Sequence, residues 1–273
     1  MMNTKKKLSE FQEKEVVNLY IDGAPATKIA KMFNVSSTPI YSILDKFKIS
    51  RRNNSKARQV YPIDENYFEE INSHAKAYVL GLFYTDGNNF LRRNRIALGL
   101  NDLDVIEFVR SELCSNRPIY KINKSKNTHY RLDIVNKKLS NDLAKLGCSG
   151  NKTYTLSFPN EKIVPKEFLS SFLLGLFDGD GCLCKSKGNS FLFCFLGTLS
   201  MSVGFSKSIE LLVGEELSLT VCKNSKHLYY AGTYKKLKII KIMDFLYQST
   251  PFSMKRKRDF YFNYIKNDAI LHI

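Results

Sequence analysis

Apolar residues recur at helical spacing near the start of the chain: Leu8, Phe11, Val16, Val17 and Leu19 precede Gly23, and Ile29, Ala30, Phe33, Val35, Ile40, Ile43 and Leu44 follow it. The pattern predicts three short helices over residues 8 to 49. Within Ala26 to Asp45 the small Ala30 allows close helix crossing, Asn34 suits a left-handed turn, and Ile29, Phe33, Val35, Ile40 and Ile43 form an inner face. Ser36 or Ser37 would cap the last helix, and Pro39 is tolerated there because an N–H in the first turn has no intrahelical use. This is the spacing of a helix-turn-helix, which would turn Thr38, Tyr41 and Ser42 outward; a plain helical bundle shares the inner face. Periodicity then stops. Ser50-Arg51-Arg52-Asn53-Asn54-Ser55-Lys56-Ala57-Arg58 is polar and basic, and residues 50–64 read as a linker.

The rest of the chain repeats itself. Residues 78–87 read YVLGLFYTDG and residues 172–181 read FLLGLFDGDG, which sets Asp86 and Asp180 apart by 94 positions (180 − 86). Similar patterns follow each copy. After Asp86 come strand-like Phe90 to Leu91 and Arg95 to Leu100, a helix from Asp102 to Leu113, strands Ile119 to Lys124 and His129 to Val135, and a helix from Lys137 to Leu146. After Asp180 come strands Leu183 to Lys185 and Phe191 to Leu199, a helix from Ser206 to Leu217, strands Leu219 to Lys223 and His227 to Ala231, and a helix from Lys235 to Tyr247. The expected fold class is α+β: a small all-α domain (1–49), a basic linker (50–64) and two αββαββα halves (65–160 and 161–273) related by a pseudo-twofold axis. Alternation of Tyr130, Leu132 and Ile134 with Arg131 and Asp133 gives a sheet one face for the core and one for a ligand.

Charge narrows the class of that ligand. Forty-two Lys and Arg against 26 Asp and Glu leave a formal charge of +16, which favours a polyanion, with nucleic acid ahead of a membrane surface. No apolar run approaches the roughly 20 residues that span a bilayer. The opening MMNTKKKLSE lacks the pattern of a signal or transit peptide, so an intracellular protein of the cytoplasm or nucleoid is expected. Six cysteines without a CxxC pair read as buried, reduced thiols, and the four scattered histidines have no metal-ligand spacing.

Both repeated segments are apolar helices that end in Asp-Gly and carry an internal glycine, Gly81 or Gly175, where glycine costs about 1 kcal/mol relative to alanine. Side chains missing at the same place in both copies let two backbones approach, so the helices are expected to cross there. Asp86 and Asp180 then meet at the negative ends of adjacent helices, where two carboxylates need cations. Mg²⁺, which prefers oxygen ligands and keeps waters, suits that pair, with Gly87 and Gly181 allowing the turn that exposes each acid and counted with Asp86 and Asp180 as candidate metal-site residues. A single Asp-Gly would be an ordinary helix end; two matching copies argue otherwise.

At these residues the chain resembles the LAGLIDADG homing endonucleases. The resemblance covers about residues 65 to 265 and includes AYVLGLFYTDG, LGCSGNKTYTLSFP, SSFLLGLFDGDG and MDFLYQSTPFSMKRKRDFY. It implies a monomer with internal pseudo-twofold symmetry that straddles double-stranded DNA and cuts it in a Mg²⁺-dependent hydrolysis, with Asp86 and Asp180 as the metal-binding acids. Tyr84 stands where the family motif often has an acid, a supporting position that Asp178 keeps in the second copy. The family's basic residue near the end of each last strand, a candidate for stabilising the transition-state charge at the catalytic centre, matches Lys137 or Lys138 and Lys235 or Lys236 loosely. Strand residues Arg92, Arg93, Arg95, Lys121, Lys124, Lys126, Arg131, Lys185, Lys187 and Lys223 are candidate groove contacts, joined by Thr38, Tyr41 and Ser42 of the helix-turn-helix. Arg51, Arg52, Lys56 and Arg58 of the linker and Lys255-Arg256-Lys257-Arg258 near the C-terminus are candidate phosphate contacts. Inteins carry the same core, but this chain runs from Met1 to Ile273 without their splicing termini, so a standalone protein is expected. An RNA maturase acting on intron RNA and a non-cutting DNA-binding regulator are the other activities compatible with this sequence.

Overall fold

The computed structural model describes residues 8–51, 61–123, 127–150, 155–186, 190–223 and 225–267. Arg52, Lys56, Arg58, Lys124, Lys126 and Lys187, named above as candidate contacts, lie outside the described residues. The chain divides between Val60 and Tyr61 into two compact units.

The first unit holds helices α1 (Glu10–Ile21), α2 (Ala26–Met32) and α3 (Ser37–Lys46). A capping box starts α1: Ser9 Oγ accepts from the Gln12 amide, and Gln12 Oε1 accepts from the Ser9 amide at 3.0 Å. Val16, Ile29, Ala30, Ile40 and Leu44 are buried between the helices, as their spacing required. Asn34 turns α2 into α3 at φ 52°, a left-handed conformation that asparagine tolerates. Thr38 and Ser42 are exposed, while Tyr41 is half-buried with the Arg51 guanidinium over its ring at 4.9 Å.

The second unit contains two halves of like order. The first runs α4 (His74–Thr85), β1 (Gly87–Phe90), β2 (Arg95–Leu100), α5 (Leu103–Glu112), β3 (Tyr120–Asn123), β4 (Thr128–Val135) and α6 (Lys137–Lys145). The second runs α7 (Leu169–Asp180), β5 (Gly181–Lys185), β6 (Phe191–Gly197), α8 (Leu199–Val213), β7 (Ser218–Val221), β8 (Tyr229–Thr233) and α9 (Lys236–Ser249). A last helix, α10 (Lys255–Phe260), continues into a π-helical turn over Tyr261–Lys266. The sheets are antiparallel with orders β1-β2-β4-β3 and β5-β6-β8-β7. This is the expected α+β pattern, with strands and helices shifted at several borders. The first strand begins at Gly87, immediately after the helix, and Leu91–Arg93 form a 3-10 turn closed by Asn94 at φ 48°. Likewise α8 starts at Leu199, not Ser206, because Thr198 caps it there, its Oγ1 accepting from the Met201 amide at 3.2 Å.

Register fixes which residues share a sheet face. Ile96 pairs with Ile134 and Leu98 with Leu132, and all four are buried under the helices. Arg95, Arg131 and Asp133 alternate with them and project from the other face. In the second sheet Phe193 and Phe195 fill the core side, with Cys182, Cys184 and Cys194 on the outer side.

Helices α4 and α7 are apolar all round and are buried along most of their length, as such helices must be. They cross backbone to backbone. A Cβ added to Gly175 would stand 2.2 Å from the Tyr78 carbonyl oxygen and 3.1 Å from Gly81 Cα; one added to Gly81 would stand 2.5 Å from the Phe172 carbonyl oxygen. Tyr78 and Phe172 are themselves 94 positions apart (172 − 78), so the contact is reciprocal, as a twofold requires. Gly175→Ala is therefore expected to destabilise the second unit by about 1–3 kcal/mol, the usual range for overpacking. Thermal melts check this: an unchanged Tm would mean the crossing is looser than described.

Candidate functional site

Asp86 terminates α4, its amide donating to the Leu82 carbonyl at 3.0 Å, and Asp180 is the last residue of α7. Strands begin at the next residue in each half, so the chain reverses directly against its own helix. That reversal is why glycine follows each acid. A Cβ on Gly87 would lie 2.6 Å from Phe83 Cα, and one on Gly181 would lie 2.3 Å from the Phe177 carbonyl oxygen. The turn expected at Gly87 and Gly181 is present, and since Gly181 has φ −84°, open to any residue, what glycine supplies there is space.

The crossing brings the two helix ends together. A Cβ on Gly179 would lie 2.8 Å from Asp86 Oδ2 and would collide with Thr85 Oγ1, so the first carboxylate leans on the residue before the second one. Asp86 Oδ2 is buried, whereas Asp180 is exposed. Tyr84, Thr85, Asp180, Leu196, Thr198 and Leu228 line a hollow beside the second acid.

Below these two acids sits a buried pair, Asp178 and Lys257. Asp178 Oδ2 accepts 2.8 Å hydrogen bonds from the Tyr78 hydroxyl and the Met254 amide. Lys257 is only 5% exposed, and its ammonium donates to the carbonyls of Phe177 (2.6 Å), Asp178 (2.9 Å) and Gly181 (2.6 Å). A cation thus closes the negative end of α7 just behind Asp180. Burial pushes the Lys257 ammonium below its usual range, opposed by the charges of Asp178 and Asp86. Burial likewise pushes the Asp178 carboxyl up to about 6, although Lys257 and the Met254 and Tyr78 hydrogen bonds hold it down. In the first copy Tyr84 replaces this acid, and its hydroxyl donates 2.6 Å to the Leu146 carbonyl.

The raised Asp178 value has a stability consequence. A carboxyl whose folded pKa exceeds its unfolded one stabilises the fold most below about pH 4 and loses that contribution as pH rises through about 6. The span corresponds to about 3 kcal/mol. Asp178→Asn, which keeps an oxygen acceptor for Tyr78 and Met254, is expected to flatten the stability profile between pH 4 and 7. Denaturant titrations across that range decide it, a parallel wild-type profile being the contrary result.

Several candidate residues fall away from this centre. Gly87 is level with Leu98 and Leu132, and Gly181 with Phe195 and Ala231. Lys137 lies five residues beyond Leu132 and Lys235 four beyond Ala231, roughly 13–17 Å at the rise of an extended strand. The end of β4 meets the β1–β2 turn instead, where the Asn136 amide donates to the Asn94 carbonyl at 2.8 Å. Lys138 bonds Glu69 and Asp142, and the Lys236 ammonium lies 5.9 Å from the Phe191 ring, again at the far end. The assignment of Lys137 and Lys235 to the catalytic centre is therefore corrected.

Other positively charged candidates divide by face. Arg95 and Arg131 project from the outer face, both paired with Asp133 (3.6 and 2.9 Å), with Arg95 over the Phe90 ring at 4.2 Å. Arg92 and Arg93 are exposed at the β1–β2 tip, and Lys223 is exposed after β7. Lys121 pairs with Tyr130 and Lys185 with Phe191, positions of core-side parity, so neither belongs to the outer face as expected. Arg51 forms an ion pair with Asp45. At the C-terminal helix, Arg256 holds Asp102 through two bonds (3.0 and 3.1 Å), and the Lys255 amide donates to Asp104, so α10 ties the second half to the first. Lys257, expected at a phosphate, has its ammonium bonded to three carbonyls. Lys255 and Arg258 are exposed.

No described helix is long and apolar enough to cross a membrane. No family model matches the sequence, and no curated protein matches it. Among solved structures the chain is similar to the I-LtrWI LAGLIDADG homing endonuclease bound to target DNA, at 11% identity and TM-score 0.47, over 77% of this chain and 92% of that one. It is similar to the I-SmaMI LAGLIDADG homing endonuclease bound to cleaved DNA, at 14% identity and TM-score 0.46, over 74% and 91%. A third similar structure is the LAGLIDADG meganuclease I-AabMI bound to uncleaved DNA, at 11% identity and TM-score 0.44, over 71% and 90%.

Proposed function

We propose that this chain is a site-specific endonuclease of the LAGLIDADG kind that hydrolyses both strands of double-stranded DNA with one carboxylate from each half. The observation that carries the reading is the helix crossing at Gly81 and Gly175, which sets Asp86 against Gly179 beside Asp180 with a four-stranded sheet on either side. A crossing of this kind serves two reactions related by the same twofold, and the two strands of a duplex are related by one.

The site fits a hard divalent cation such as Mg²⁺. Two carboxylates at negative helix ends supply oxygen donors, and such an ion fills the rest of its shell with water and phosphate oxygens. Asp86 and Asp180 would hold it, and Gly181 is less suited to ligation because its carbonyl already accepts from Lys257. When bound, such an ion activates water and stabilises the departing oxygen. The chain's own residues do the rest. Lys257 holds the end of α7 so that Asp180 keeps its direction, and the net charge of +16 draws the duplex in. Arg95 and Arg131, released from Asp133, can donate in pairs to guanine edges in the major groove, and Arg92, Arg93, Lys223, Lys255 and Arg258 can reach phosphates. Helix α3 would add a second reading head through Thr38, Tyr41 and Ser42, as a helix-turn-helix does.

The test is a cleavage selection on a random duplex library with purified full-length protein and Mg²⁺. Both strands should be cut at one enriched sequence, and a chelator should abolish cutting while a gel shift of that sequence persists. Binding that never yields broken strands would overturn the proposal.

A further inference from the structure

Four of the six cysteines gather in the second sheet, a feature that cleavage does not use. Cys182 and Cys184 sit on β5, two residues apart and therefore on one face. Cys194 on β6 is the register partner of Cys182 and shares that outer face. Cys222 follows β7, with its sulfur 3.6 Å from the Tyr230 hydroxyl. Cys182 Sγ lies 3.6 Å from Cys184 Sγ, and Cys194 stands directly across the strand pair from Cys182. Cys182 is exposed, Cys184 half-buried and Cys194 buried, so an oxidant from solvent meets Cys182 first.

Directly opposed residues of antiparallel strands have Cα atoms about 4.5–5.5 Å apart, inside the range of about 4.4–6.8 Å that a disulfide spans. Cys182 and Cys184 are separated by two residues of extended strand, about 6.6 Å, at the limit of that range. The opposed pair falls in the middle of that range and the pair along β5 at its edge, so geometry favours closure across the strands.

We infer that Cys182 and Cys194 form a peroxide-sensitive dithiol that closes to a reversible intrachain disulfide on the outer face of the second sheet. In the first step Cys182 sulfur attacks hydrogen peroxide: the O–O bond breaks, one oxygen stays on sulfur as a sulfenic acid and the other leaves as water. In the second, Cys194 sulfur attacks the sulfenic sulfur, the S–S bond forms, and the hydroxyl leaves with the Cys194 proton as a second water. Each sulfur ends one electron more oxidised and the peroxide is fully reduced. A dithiol reductant reverses the change. The bridge would staple β5 to β6 two residues after Asp180.

Full-length protein without DNA is treated with hydrogen peroxide and its free thiols are titrated. The count should fall from six to four and return to six with dithiothreitol. Peptide mapping should find Cys194 linked to the peptide that carries Cys182 and Cys184. Cys184→Ser should keep the link and Cys182→Ser should lose it. An unchanged count of six, a link that survives Cys182→Ser, or a disulfide between chains would overturn the inference. None of these readouts involves DNA, so they stand apart from the cleavage test.

Discussion

Asp180→Asn is expected to lower double-strand cleavage by about 10²–10³-fold, the scale on which removal of one transition-state group acts, while leaving duplex binding and Tm near wild type. The argument is geometric. Asp180 is exposed at the end of α7, so an isosteric amide costs the fold little, yet the amide cannot supply the charge that holds a hard cation. Asp86→Asn should match it in activity but not in stability, because Asp86 Oδ2 is buried against Gly179 and the amide would put a donor there. Binding, metal dependence and nicking on supercoiled plasmid are measured in parallel. Nicked circles from one variant would show that each acid serves one strand. Full cleavage by the double variant would sink the assignment.

The repeat made most of this site legible beforehand. Two copies of an apolar helix with an internal glycine and a terminal Asp-Gly predict a backbone crossing and a pair of acids, because few other arrangements justify a mid-helix glycine twice. Strand faces followed from alternation where alternation exists, as at Arg131, Leu132 and Asp133. It failed where the run is continuous: Phe191 to Gly197 is almost wholly apolar and runs on into Leu199 and Met201, so the border between β6 and α8 rests on the Thr198 cap rather than on period.

Charge was harder to read than pattern. A lysine's number says nothing about register, and the nearness of Lys137 and Lys235 to a strand end does not tell which end of the sheet it is. Antiparallel pairing answers that: β4 and β8 run away from the aspartates toward the hairpin tips. Lys121 and Lys185 show the same limit at the level of one residue, since a basic side chain on an edge or a tip is exposed on either face. The buried role of Lys257 did leave a trace. Met254, Lys257, Tyr261 and Ile265 stand at i, i+3, i+7 and i+11, an apolar stripe with one lysine in it, and all four are buried.

That lysine carries the second large expectation. Lys257→Met keeps the stem's packing on Phe177, whose ring the ammonium overlies at 4.9 Å, but leaves the carbonyls of Phe177, Asp178 and Gly181 without their donor and Asp178 without its cation. Breaking a buried charge pair costs about 3–5 kcal/mol when the surviving charge stays ionised. Here it can be neutralised: losing Lys257 pushes the Asp178 carboxyl further above about 6, so the variant should be much weaker than wild type at pH 8 and closer to it at pH 5. Cleavage should also fall by about 10–100-fold, as for groups that orient a metal ligand, because the end of α7 that aims Asp180 is no longer held. Adding Asp178→Asn separates the two effects. The double variant should regain stability at pH 8, since no buried charge is left alone, yet cut as poorly as Lys257→Met, since the carbonyls at the helix end still lack their donor. If the double variant recovered both, Lys257 would be a counter-ion to Asp178 and nothing more; if stability at pH 8 did not recover, the orphaned carbonyls rather than the charge would account for the loss.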